Sequence, residues 1–162
     1  MSTITVGRTA VGFVVRVGHH GTLRESRALA EFVAHAQAPV DIDLDLSAAV
    51  YLDSTFLGSL MGLHKRINLA RQGQFRICGP LEHVRRLLGK TRLDNVLPLA
   101  AEIKALVGDE HAISQEAIDS TDLAHFIADA HRKLAELGGP DSLAYAKVAE
   151  RLDEETDKHP RG

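Results

Sequence analysis

The chain has 162 residues, 44% of them hydrophobic and 25% charged, with a net charge of −3. That is enough length for one domain with a real core and an appendage, in an ordinary globular composition. No run approaches the roughly 18 consecutive apolar residues of a membrane span. The opening "MSTITVGRTAVGFVVRVG" lacks the compact apolar block of a signal peptide, and Cys78 is the single cysteine, which excludes an intramolecular disulfide framework and points to a cytoplasmic setting.

Charge is unevenly placed. Met1 to Gly108 carry 13 basic and 9 acidic residues, a balance of +4, whereas Asp109 to Gly162 carry 6 and 13, a balance of −7. A mildly basic body therefore bears an acidic C-terminal arm. Aromatics at 4%, with no Trp, argue against a base-stacking nucleic-acid surface.

In chain order, residues 3–17 predict two extended segments around a turn, with "FVVRV" apolar and β-branched enough for a central strand. Thr22 with Glu25 three residues on forms a capping box for a helix that Pro39 ends. "VDIDLDLS" (Val40 to Ser47) alternates strictly, placing Val40, Ile42, Leu44 and Leu46 on one face. Asp41, Asp43 and Asp45 then share the opposite face, expected to be solvated. Leu57, Leu60, Met61, His64 and Ile67 keep helical spacing to about Gln72, where Gly73 stops the run. "QFRIC" predicts a strand, "GPLEHVRRLLGK" a helix with Pro80 in its first turn, "NVLPL" a short strand and "AAEIKAL" a last short helix. This alternation predicts an α/β fold, a mixed sheet of about four or five strands with helices packed against it.

Beyond Gly108 the pattern becomes a pair of amphipathic helices. The first has a cap at Ser120 or Thr121 and an apolar stripe of Leu123, Phe126, Ile127, Ala130, Leu134 and Leu137. The second turns Leu143, Val148 and Leu152 inward. Such a pair must bury its stripe to hold its shape in water. The expected division is a body over 1–108, an acidic helical extension over 109–157 and a flexible tail over 158–162.

Catalytic signatures are weak. His19, His20, His35, His64, His83, His111, His125 and His131 show no HExxH or other ligand spacing, and Cys78 has no thiol partner. His64, on an apolar helical face, reads as a packing residue. The three strand aspartates lack any surrounding pocket, as acid–base chemistry would need. Neither "GTLRES" nor "GSLMG" matches GxxxxGK[ST]. The cluster Arg85, Arg86, Lys90 and Arg92 suits a protein or intramolecular partner better than nucleic acid in a chain of net negative charge. The reading is of a non-enzyme with no metal and no cofactor.

The pair Ser54-Thr55 follows Asp53 at a strand-to-helix seam. Helix capping alone accounts for such residues. The same position also favours a phosphate, because helix dipole and N–H groups stabilise negative charge there, and the added charge opposes docking.

"LSAAVYLDSTFLGSLMGLHKRINLARQGQFRICGPLEHVRRLLGKTRLDNVLPL" resembles the STAS domains of bacterial anti-sigma-factor antagonists. The likeness covers about the first 108 residues and is most specific at Asp53-Ser54-Thr55 followed by Leu57-Gly58, with Leu93 in the place of the family's turn leucine. It implies a STAS-like mixed sheet, here with a helical hairpin appended. It also implies phosphorylation of Ser54, with Thr55 as the lesser candidate, by a GHKL-type serine kinase or anti-sigma factor, and reversal by a PP2C-like phosphatase. Partner contacts would fall on Asp53, Ser54, Thr55, Phe56, Leu57 and Gly58. Phe56 departs from the family's usual Gly and is either an exposed anchor or core. The acidic arm would dock on the body's basic helix, bind a partner or make a homodimer. The alternative implied by the same family is an accessory or scaffold subunit of a lipid transporter or signalling complex.

Overall fold

A computed structural model of the chain describes residues 4–113 and 120–158. The sheet is founded on the hairpin of β1 (Ile4–Arg8) and β2 (Gly12–Val17), antiparallel from Ile4 opposite Val17 to Arg8 opposite Phe13. β4 (Asp41–Asp45) lies parallel to β2 on one side and to β6 (Phe75–Cys78) on the other. β7 (Leu99–Ala100) continues the parallel set, and β8 (Val107–Ala112) closes the opposite edge antiparallel to β1. The order is therefore β7-β6-β4-β2-β1-β8, with a small parallel pair, β3 (His20–Gly21) and β5 (Tyr51–Leu52), beside it.

Among the described residues there are five α-helices: α1 (Leu23–His35), α2 (Ser54–His64), α3 (Glu82–Lys90), α4 (Ser120–Glu136) and α5 (Ser142–Lys158). α1 starts at the expected box, where the backbone N–H of Thr22 donates to Glu25 at 3.1 Å. α2 runs on into a π-helical turn, Lys65–Leu69. Asn68 fixes that turn to the sheet, accepting from the Phe75 N–H at 2.7 Å and donating to the Phe75 carbonyl at 3.0 Å. His64 is the packing residue its helical face implies. It is buried, its Nδ1 accepts from Asn68 at 2.8 Å, and burial holds its pKa below the ordinary value. The core joins Val15, Val17, Leu29, Ile42, Leu44, Leu46, Phe56, Leu60, Phe75 and Ile77 between sheet and helices, and each such side chain contributes roughly 1.5–3 kcal/mol by leaving water.

Several sequence expectations are corrected. The face formed by Asp41, Asp43 and Asp45 is not solvated: Asp43 and Asp45 are 1% and 6% exposed. Asp43 accepts two hydrogen bonds from Arg76, both at 2.8 Å, and the Lys104 backbone N–H at 2.8 Å, with Lys104 Nζ at 3.2 Å. Burial alone would raise its pKa, but the bonds from Arg76 and Lys104 outweigh that and hold the carboxyl below its usual range. Asp45 takes Arg16 Nε at 2.9 Å. The helix expected over "AAEIKAL" is absent. Ala100 instead ends β7, and residues 101–106 run irregularly, presenting Lys104 to Asp43, and lead into β8. The boundary expected after Gly108 falls within β8, which pairs with β1 as far as Ala112. Pro80 precedes the N-cap Leu81 of α3 rather than sitting in its first turn.

The extension is a helical hairpin, as expected, but its second helix faces differently. Tyr145, Ala149, Leu152 and Thr156 form the inward row, while Leu143 is 68% and Val148 39% exposed. The cap expected at Ser120 or Thr121 and the tail beyond Lys158 lie outside the described side chains. No helix among the described residues is long and apolar enough to cross a membrane.

Candidate functional site

The seam between β5 and α2 is built by Asp53. Its backbone is extended (φ −83°, ψ 169°), as an N-cap requires. One carboxylate oxygen, Oδ1, accepts the Phe56 N–H at 2.7 Å, and the other, Oδ2, accepts the Leu23 N–H at 3.1 Å. A single carboxylate therefore caps two helices, α1 and α2, and its charge sits against both positive helix ends. Ser54 follows as the first residue of α2 and is half-buried. Thr55 is 6% exposed, so Ser54 is the more accessible hydroxyl.

Of the other residues expected to meet a partner, Phe56 and Leu57 are core, at 0% and 3% exposed. Phe56 is thus not an exposed anchor. It packs beneath the helix start beside Gly21, where an added Cβ would lie 3.2 Å from the Phe56 ring. Gly58 is buried for a different reason: α4 lies directly on it. A Cβ at position 58 would fall 2.1 Å from the Ala130 carbonyl oxygen, an overlap no side chain tolerates. The glycine permits two helix backbones to touch.

His131 completes this contact. Its Nδ1 is 2.8 Å from the Ile127 carbonyl, a pure acceptor, so Nδ1 carries the proton. The other ring nitrogen, Nε2, lies 2.9 Å from the Ser54 hydroxyl oxygen and hydrogen-bonds with it. A backbone carbonyl thus orients the ring of His131, and the Ser54–His131 contact ties α4 to the first turn of α2. Further contacts flank it. Lys65 pairs with Glu136 at 2.9 Å, and the Arg27 guanidinium lies 5.2 Å from the centre of the Phe126 ring. Lys90 meets Asp141 at 3.1 Å, and the turn at Gly139 lies against the Lys90 carbonyl, where a Cβ would come within 2.7 Å. The acidic arm thus reaches the C-terminal end of the basic helix α3, but its principal seat is α2. Sequence periodicity identified the apolar stripe of α4; nothing in it pairs His131 with a hydroxyl 77 positions earlier.

No group of three or more His, Cys, Asp or Glu side chains suited to a metal ion occurs among the described residues. Cys78 is buried, and burial pushes its thiol up to about 11.

Comparison with known proteins gives one family. The STAS domain model matches residues 18–106. Among solved structures, a Thermotoga maritima protein assigned as an anti-sigma factor antagonist is 25% identical, covers 56% of this chain and 80% of its own, and has a TM-score of 0.48. The anti-sigma factor antagonist SpoIIAA in its unphosphorylated form is 13% identical, with 62% and 89% covered and a TM-score of 0.46. No curated protein matches significantly. The matched segment holds α1, the Asp53-Ser54 seam, α2 and α3, and spans more than half of the sequence: the chain belongs to the STAS domain family.

Proposed function

We propose that this protein is a phospho-regulated anti-sigma-factor antagonist. In this reading it binds an anti-sigma factor or GHKL-type serine kinase in the cytoplasm while Ser54 is unmodified, and lets go once Ser54 carries phosphate. A PP2C-like phosphatase resets it, and the protein itself performs no catalysis. The single observation that carries the reading is the position of Ser54, the first residue of α2 immediately after the capping Asp53, in a chain of the STAS family.

The physics of the switch follows from that position. A phosphate there is tolerated locally, because the first turn of a helix offers N–H groups and the positive end of the dipole. A partner pressed against the same turn would have to desolvate about two negative charges beside Asp53. Without a waiting Arg this costs several kcal/mol, enough for a hundredfold loss of affinity.

Phosphosite mapping of the protein isolated from its own cells tests the reading. Phosphate on Ser54, removed by a PP2C-like phosphatase, is the expected result. Phosphate confined to other residues, or none under any growth condition, would leave the accessory or scaffold role as the better account.

A further inference from the structure

The Ser54 face is already occupied. Contacts between the α4–α5 hairpin and the body bracket the seam, among them His131 on Ser54, Ala130 on Gly58, Glu136 on Lys65, Phe126 on Arg27 and Asp141 on Lys90. Along α4, Ala130, His131 and Leu134 are 3%, 7% and 1% exposed, and Leu134 belongs to the same apolar cluster as the body's core. Opposite them, Ser54 and Gly58 are one turn apart on α2 and Gly62 one turn further. A Cβ on Gly62 would lie 3.6 Å from the Lys133 side chain. This face is smooth because small residues line it, and α4 uses that smoothness to approach closely.

The charges fit the same arrangement. The acidic arm supplies Glu136 and Asp141, and the basic body supplies Lys65 and Lys90. Exposed pairs of this kind contribute little energy, typically under about 1 kcal/mol, but they fix register. The apolar burial of Leu134 and the backbone contact at Gly58 hold the hairpin down.

We propose that the α4–α5 hairpin is an autoinhibitory cover, seated on the Ser54 face and displaced before any kinase or binding partner reaches it. The proposal rests on Ser54 being the regulated residue, but its physical content is that the face is closed in the free protein. A kinase must bring Ser54 Oγ to a nucleotide phosphate, which requires that the hydroxyl leave His131. A partner docking across α2 meets Ala130 where it needs Gly58. Affinity for either is then reduced by the fraction of time the hairpin is open, and whatever draws the hairpin away acts as an activator.

The test needs neither kinase nor partner. In the full chain, Ser54→Cys is labelled with a polyethylene-glycol maleimide, alone and combined with Leu134→Asp, which places a charge in the hairpin seat. Cys78, buried at the end of β6, reports in the same reaction on whether the body remains folded. Closure predicts that Leu134→Asp accelerates labelling at position 54 by tenfold or more while Cys78 stays unlabelled. His131 beside the thiol favours thiolate, so contact without occlusion would make labelling fall on opening. An unchanged or slower rate in the Leu134→Asp chain therefore overturns the proposal. Should Leu134→Asp expose Cys78, Phe126→Asp at the half-buried start of the same interface takes its place, with the same expected rise and the same refutation. Neither outcome depends on phosphorylation, so a closed face with no phosphate on Ser54 would defeat the switch and keep the cover.

Discussion

Replacing Asp53 by Ala should destabilise the protein far more than replacing Ser54, its neighbour. Asp53 accepts two backbone N–H groups, Phe56 at 2.7 Å and Leu23 at 3.1 Å, which belong to the first turns of two different helices. An ordinary N-cap lost to Ala costs about 1 kcal/mol. Two caps sharing one carboxylate, each with its dipole contribution, bring the expected loss to about 2–3 kcal/mol. For a chain of this size that is a fall in Tm of roughly 4–12 °C, at 2–4 °C per kcal/mol. Asp53→Asn should recover part of it, because the side-chain oxygen can still cap Phe56 while the amide N–H₂ confronts the Leu23 N–H. Ser54→Ala, which loses the hydrogen bond to His131, should cost about 1 kcal/mol or less. Urea unfolding of the four proteins, with unchanged m-values, measures these differences directly. An Asp53→Ala protein within 0.5 kcal/mol of wild type (on the order of ordinary surface substitutions) would refute the double cap. The same series separates stability from switching, since a binding defect in Asp53→Ala could arise simply from a loosened α2.

Two further predictions concern the body. Asp43→Asn should cost about 2–3 kcal/mol, because Arg76 and Lys104 lose the carboxylate they converge on. Since the folded pKa of Asp43 is depressed, its contribution is fully present above the ordinary carboxyl pKa and is lost as pH falls below about 4. Wild type should therefore lose its advantage over Asp43→Asn through that window, as read from urea midpoints at stepped pH; a constant difference would contradict the ion-paired site. Asn68→Ala should cost about 2 kcal/mol by orphaning both polar groups of Phe75, measured by the same unfolding assay, and a loss below about 0.5 kcal/mol would show that the π-helical turn is held otherwise.

Much of the body was legible because its signals are local. The capping box at Thr22, the alternation in β4 and the cap-then-helix seam at Asp53 each lie within a few residues, and each produced the element it predicts. β8 was not legible. "VGDEHA" has poor strand propensity and an exposed pattern, and it becomes a strand because β1 offers it an unpaired edge. Conversely, "AAEIKAL" is rich in helix formers, yet it is held irregular where Lys104 reaches Asp43, 61 positions away. The aspartate face looked solvated because its cations arrive from Arg16, Arg76 and Lys104 on other segments. In α5 the large residues Leu143 and Val148 suggested the buried side, but close packing on α4 favours the row with Ala149 at its centre. The Ser54 site was visible as a motif; its occupation by His131 was not, since helical periodicity tells which face is apolar and not what it will cover.

The central claim is that the charge on residue 54 decides partner binding, and the most direct measurement is affinity. The GHKL-type kinase or anti-sigma factor identified by capture from the native cell would be purified and titrated with full-length wild type, Ser54→Ala and Ser54→Asp. The account predicts that Ser54→Ala binds at least as tightly as wild type and that Ser54→Asp binds about a hundredfold more weakly, a difference of about 2.7 kcal/mol, with Tm values within a few degrees of one another. Equal affinity of all three proteins for that partner would contradict it.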